Sequence, residues 1–171
     1  MLIVSQNTNG LGLVEYMLWC EDLSAEPLLG IWGGLYLDGT IITEDQLQPY
    51  VDDALNELEF LMGDSSTKYG ALRASLGYRK PWSIKYVEIG NEDNLNNGGP
   101  SYQAYRFKMF KDAIKKKYPN MVVFASTADF NFAETSDAGE DYHQYTRPDR
   151  FVTQFNFFDH YTPGFKTLIG M

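Results

Sequence analysis

Residues 83–95 read SIKYVEIGNEDNL. The apolar and β-branched residues of 84–90 predict a strand, and Gly90 ends it in front of a cluster of acids. Strand alternation puts Val87, Ile89 and Asn91 on one face and Tyr86, Glu88, Gly90 and Glu92 on the other. If Val87 and Ile89 face covering helices, the second set faces the opposite side, and Glu92 projects from the top of that side into a cleft. A carboxyl held there is partly desolvated, which favours its protonated form and suits it to general acid work. The alternative for Glu92 and Asp93 is the start of a solvated loop. For Glu88 the expectation is an interior carboxylate paired with an arginine.

Outward from this strand the elements alternate. Residues 11–23 (LGLVEYMLWCEDL) carry Leu13, Tyr16, Met17, Cys20 and Leu23 at helical spacing. Residues 27–37 (PLLGIWGGLYL) read as a buried strand running into a glycine-rich loop. The clearest helix spans 44–62. Thr43 and Gln46 form its expected capping box, Leu47, Val51, Ala54, Leu55, Leu58 and Met62 its apolar stripe, and Gly63 its stop. Pro49 is expected to split off the first turn. Residues 64–82 read as an irregular excursion. Ser101 is expected to cap a helix that Pro119 ends. Strands follow at 121–126, 141–145 and 165–170, with helical character at 148–158. This order means a parallel sheet with helical crossovers, either doubly wound or part of a (β/α)8 barrel. No Gly-X-Gly-X-X-Gly follows any strand, which weakens a dinucleotide fold. Polar residues gather at strand C-termini, where both architectures place their sites.

Composition narrows the function. The 171 residues carry a formal charge of −9, which disfavours nucleic acid as a partner. The one basic run, Lys111 to Lys117, suits the negative end of a helix dipole. Aromatics make up 15% of the chain, enough to fill a core and also to line a sugar cleft. Cys20, the single cysteine, excludes an internal disulfide and reads as a small core residue. No apolar run reaches the ~20 residues that span a membrane. The N-terminal MLIVSQNTNG lacks the charged region and long apolar stretch of a signal peptide.

KYVEIGNEDN resembles the fourth-strand motif of the family 51 glycoside hydrolases, the α-L-arabinofuranosidases, particularly their fungal branch. The blocks GLGLVEYMLWCEDLSAEPLLGIWGGLYLDG, LQPYVDDALNELEFLMGDSSTKYGALRASLGY, YRFKMFKDAIKKKYP and DYHQYTRPDRFVTQFNFFDHY are similar to that branch and stand in its order. The resemblance implies an α/β fold, a partial (β/α)8 TIM barrel covering about strands 3 to 7. Residues 1–171 would be a fragment of the catalytic domain, without the C-terminal β-sandwich. It implies hydrolysis, with retention, of terminal α-L-arabinofuranosyl groups in arabinose-containing plant polysaccharides, with no cofactor and no metal. Glu92 matches the general acid/base and Asn91 the residue that hydrogen-bonds the sugar 2-hydroxyl. His143 and Tyr145, in DYHQY, match the His-X-Tyr at the end of the sixth strand, the His near the acid/base and the Tyr near the nucleophile. Trp32, after the third strand, is a further cleft candidate whose alternative is a core aromatic. An extracellular location is implied by the same resemblance.

A retaining glycosidase needs two carboxyls about 5–5.5 Å apart, one to protonate the leaving oxygen and one to attack the anomeric carbon. Glu92 supplies the first. The family's second lies in a Gly-Glu-Tyr on the seventh strand. FKTLIGM matches that strand to Gly170, but Met171 stands at the nucleophile's position. The expectation is that the chain alone lacks arabinofuranosidase activity. The alternative is a non-catalytic remnant with at most weak glycan binding.

Overall fold

The computed structural model describes residues 10–127, 138–160 and 166–170. Five strands, β1 (Leu28–Ile31), β2 (Tyr86–Ile89), β3 (Val122–Ala125), β4 (Gly139–His143) and β5 (Thr167–Gly170), form one sheet in the order β1-β2-β3-β4-β5. Every pairing is parallel. An order that never reverses separates the two candidate architectures. A doubly wound sheet changes direction at a switch point, whereas a barrel adds each strand to the last.

The helices are α1 (Leu13–Leu23), α2 (Glu44–Met62), α3 (Lys68–Ser75), α4 (Gly99–Ser101), α5 (Phe107–Lys117) and α6 (Pro148–Val152). A π-helical stretch, Tyr102–Arg106, joins α4 to α5, and a 3-10 turn spans Phe157–His160. One face of the sheet is buried under this layer. Leu29, Ile31, Val87, Ile89, Val123 and Ala125 meet Leu47, Val51, Leu58, Phe107, Phe110 and Ile114 in one apolar cluster. The opposite face carries Gly30, Glu88 and Phe124, aligned across three strands by register. The alternation read from 84–92 therefore holds, and it sends the carboxylate of Glu88 to the side away from the helices.

Several local expectations are corrected. Thr43 stands at the N-cap of α2, but its side chain makes no capping bond; the Gln46 amide donates to the Thr43 carbonyl at 3.0 Å instead. The helix runs through Pro49. Pro49 removes only the bond to the carbonyl of Asp45, an exposed residue. Gly63 does end α2, yet at φ −68° it makes no left-handed turn. Glycine is needed there for space, since a Cβ would lie 2.5 Å from the Glu59 carbonyl oxygen. Within 64–82 the chain forms α3, capped by the Thr67 side chain, which accepts from the Gly70 amide. Ser101 lies inside a helical run that begins at Gly99. Along α1 only Met17 is fully buried, while Tyr16 and Leu23 of the expected stripe are exposed. Cys20 is partly buried.

Arg73 explains how α2 and α3 dock. Its guanidinium is fully buried and donates to the carbonyls of Phe60, Leu61, Gly63, Tyr78 and Arg79 at 2.6–3.3 Å. Phe60 and Leu61 lie in the last turn of α2, whose carbonyls have no partner within the helix and carry its negative dipole end. Among the described residues no helix is long and apolar enough to cross a membrane.

Candidate functional site

The chain leaves β2 through Gly90 at φ +86°, and Glu92 follows at φ +50°. A left-handed non-glycine residue costs on the order of 1 kcal/mol, and three hydrogen bonds hold this one. The Asn91 amide donates to Asp93 Oδ2 at 2.9 Å, the Asp93 amide to Ser126 Oγ at 3.3 Å, and the Leu95 amide to the Glu92 carbonyl at 2.9 Å. A Cβ at Gly90 would run into the Asp93 carboxylate, so only glycine lets the chain fold back this tightly.

The acids of this turn part company. Asp93 is buried and pairs with Arg106, itself fully buried. Arg106 also donates to the carbonyls of Gly33 at 2.7 Å and Gly98 at 2.9 Å, and Ser126 Oγ donates to Asp93 Oδ2 at 3.0 Å. The π-helical stretch brings Arg106 and Tyr102 to this point. Tyr102 Oη donates to the Ile89 carbonyl at 2.5 Å and accepts from the Ser126 amide at 3.0 Å. Asp93 is thus a strut beneath the loop, not part of a solvated surface. Glu92 turns the other way, with about a third of its side chain exposed.

Across the sheet, β4 presents Asp141 and His143 on the face shared with Glu88. His143 Nδ1 lies 3.3 Å from Glu92 Oε1, and its Nε2 2.5 Å from Asp141 Oδ2. His143 thus stands beside Glu92, the residue that the resemblance matches to the acid/base. Glu88 is not paired with the expected arginine, because Arg106 is taken by Asp93. Glu88 faces Asp141 instead. Burial, then the charge and hydrogen bonding of Asp141, push its carboxyl up to about 8. For His143, burial works against the charged form, but the hydrogen bond to Glu92 and the charge of Asp141 outweigh it and raise its pKa.

Glu88, Asp141 and His143 bring one metal-ligating type of atom each within 4.8 Å of one another. Two ligands bound about 2.1 Å from one ion stand roughly 3 Å or more apart. The 2.5 Å contact between Asp141 and His143 is shorter, so the group reads as hydrogen-bonded side chains, not as a coordination shell.

The remaining candidates lie around the same end of the sheet. Asn91 is exposed, and with Trp32, Gly33, Tyr36 and Asp93 it lines a cavity of about 410 Å³ beyond β1 and β2. Trp32 is 38% exposed. Its ring contacts Tyr36 and Tyr50 at 4.8 Å, and its indole N–H donates to the Leu35 carbonyl at 2.8 Å. Tyr145 is exposed, with its ring 6.2 Å from that of His143. Gly170 stands opposite His143 in the β4–β5 register. Met171, read as occupying the nucleophile's position, lies outside the described residues. Sequence reasoning missed Asp141 and mistook the partner of Glu88. The signal for Asp141 was in DYH, where residues two apart on a strand share a face.

Residues 3–163 match the family described as the alpha-L-arabinofuranosidase 1 domain. The chain is 49% identical over 170 residues to alpha-L-arabinofuranosidase A of Aspergillus kawachii, covering 96% of this chain and 27% of that protein. A probable alpha-L-arabinofuranosidase A of Emericella nidulans is 37% identical over 190 residues. Among solved structures, an arabinose-bound GH51 α-L-arabinofuranosidase superposes with a TM-score of 0.86 at 34% identity, covering 94% of this chain and 26% of that one. The arabinose complex of the Thermotoga maritima enzyme, 23% identical with a TM-score of 0.68, shares the fold. The chain thus spans about a quarter of the length of the curated relatives it matches.

Proposed function

From the premise that this chain belongs to the α-L-arabinofuranosidase family, we propose that it supplies the acid/base half of a retaining α-L-arabinofuranosidase site. The observation that carries the reading is the contact between Glu92, at the C-terminal end of β2, and His143, at the end of β4. A general acid must be accessible and held in one place. Glu92 is partly exposed and is held by the left-handed turn on one side and an imidazole on the other.

In this reading Glu92 protonates the leaving oxygen as the glycosidic bond breaks. It then takes a proton from the water that releases the sugar. Asn91 binds the sugar 2-hydroxyl, Trp32 offers a flat face beside it, and Tyr145 borders the attacking side. In the family the attacking carboxylate is a Glu on the seventh strand, the strand that FKTLIGM matches to Gly170, and this chain carries Met171 at that position. The substrate is an arabinose-containing plant polysaccharide or oligosaccharide, and the location is extracellular.

The test uses this chain joined to the family's remaining barrel strands and carrying Met171→Glu. Glu92→Gln should lower kcat/KM on poor leaving groups by roughly 10²–10⁴-fold. Aryl arabinofuranosides, whose leaving groups need little protonation, should lose far less in the glycosylation step, and added azide should speed release of the sugar. Equal losses on both substrate types, with no response to azide, would mean that Glu92 is not the acid/base.

A further inference from the structure

Behind Glu92 three more titratable side chains stand in a row: His143, Asp141 and Glu88. Register makes the row. Glu88 pairs with Phe124 and Phe124 with Gly139, so Asp141 and His143 rise along β4 on the face of Glu88. Gly139 lets the Phe124 ring lie flat between the strands, since a Cβ there would be 2.5 Å from two ring carbons.

Resting on the reading of Glu92 as the acid/base, we propose that Glu88 and Asp141 are positioning residues: they hold one proton between their carboxyls and so set the charge that His143, and through it Glu92, faces. Glu88 Oε1 and Asp141 Oδ1 are both buried with no donor among the described residues, although the two carboxyls bring an oxygen each within 4.8 Å of one another. Two carboxylates cannot satisfy each other. One proton turns an acceptor into a donor and relieves both the repulsion and the orphaned oxygens. The raised pKa of Glu88 agrees with this state.

The rest follows from the imidazole. Its Nε2–H donates to Asp141, which leaves Nδ1 to accept the proton of Glu92. When that proton passes from Glu92 Oε1 to Nδ1, His143 becomes imidazolium and Glu92 a carboxylate. An undiluted charge on Asp141 would pull the proton over and leave the acid empty. The proton on Glu88 draws off part of that charge. Other charges around the row are few. Asp93 faces Glu88 but is paired with Arg106. The neighbouring strands β1, β3 and β5 carry no titratable side chain within their described spans.

The test reads the imidazole directly. The chain has two histidines, His143 and His160, so long-range proton–nitrogen NMR spectra yield two titration curves. In the wild type His143 should titrate above the ordinary imidazole value of 6.5, with a second small step near pH 8. Glu88→Gln, neutral and of the same shape, should erase that step and leave the main midpoint within about half a unit. A charged Glu88 within 4.8 Å would instead contribute on the order of 2 pK units at an effective dielectric near 20. A fall of that size in Glu88→Gln would overturn the proposal, as would a wild-type His143 midpoint at or below 6.5. Asp141→Asn should lower the His143 midpoint by about a unit or more and change its tautomer, visible in the nitrogen shifts; an unchanged midpoint would also overturn it. None of these spectra needs a substrate, so failure of arabinofuranoside hydrolysis would remove the proposed function without touching this result.

Discussion

Asp93 and Glu92 are neighbours in sequence with opposite fates, and the difference is the presence of Arg106. A buried carboxylate with a guanidinium, a serine hydroxyl and a backbone amide around it is satisfied. Removing it strands a buried positive charge, which costs about 3–5 kcal/mol. Asp93→Ala should therefore lower the unfolding free energy by that amount in urea melts. Asp93→Asn, which keeps the shape and can still accept one hydrogen bond, should cost less. A loss under about 1 kcal/mol for Asp93→Ala would show that Arg106 finds water or another acceptor, and that the pair is not a strut. The same residue explains why Glu88 has no arginine: the guanidinium beside the end of β2 is that of Arg106, and the turn after Gly90 delivers Asp93 to it.

At the scale of elements, two devices set the helices against the sheet. The π-helical stretch advances the register of the α4–α5 segment so that Tyr102 and Arg106 both point at the end of β2. Arg73 closes the C-terminus of α2 from the side, where Gly63 ends the helix without a left-handed turn. Its planar fork reaches five carbonyls, which an ammonium with three donors cannot do. Arg73→Lys should cost about 3 kcal/mol, from the scale of 1.5–3 kcal/mol for each charge-assisted hydrogen bond lost and partial replacement by lysine. Hydrogen exchange should show the loss concentrated in the last turn of α2 and in α3. Uniform loss across the sheet would mean that Arg73 acts on the core as a whole.

For the whole molecule, Glu88 and Glu57, raised by burial, and His143, raised by Glu92 and Asp141 against its burial, bind protons more tightly when folded. Glu88 rises from 4.5 to about 8, Glu57 is raised by burial, and His143 is raised above 6.5. A group whose folded pKa is raised contributes stability that is complete below the unfolded value and is lost as pH climbs through the folded one. Stability should therefore fall between about pH 5 and pH 8. On the acid side, Asp38, Asp64 and Glu59, all lowered by hydrogen bonds in the fold, lose their contribution below about pH 4. Urea midpoints should peak near pH 5–6, and Glu88→Gln should flatten the decline toward pH 8. A midpoint that rises from pH 6 to pH 8 would contradict the assignment of Glu88.

What the sequence determined by itself is what local pattern encodes. The period-two alternation of 84–92, the apolar stripe of 44–62 and the alternation of strands with helices yield parallel strands under a helical layer. The Gly-Asn-Glu turn and DYHQY mark the strand ends that carry polar residues. Tertiary structure decided the partners. Glu92 meets His143 across 51 positions and Arg106 meets Asp93 across 13. Each pairing is set by which side chains the fold brings to a shared end of the sheet. Desolvation then sets the outcome, because a buried charge must find a counter-charge or a proton. Asp93 found an arginine, and Glu88, left with Asp141, found a proton. A carboxylate reads the same in sequence in either case, since its state belongs to the surroundings that the fold assembles.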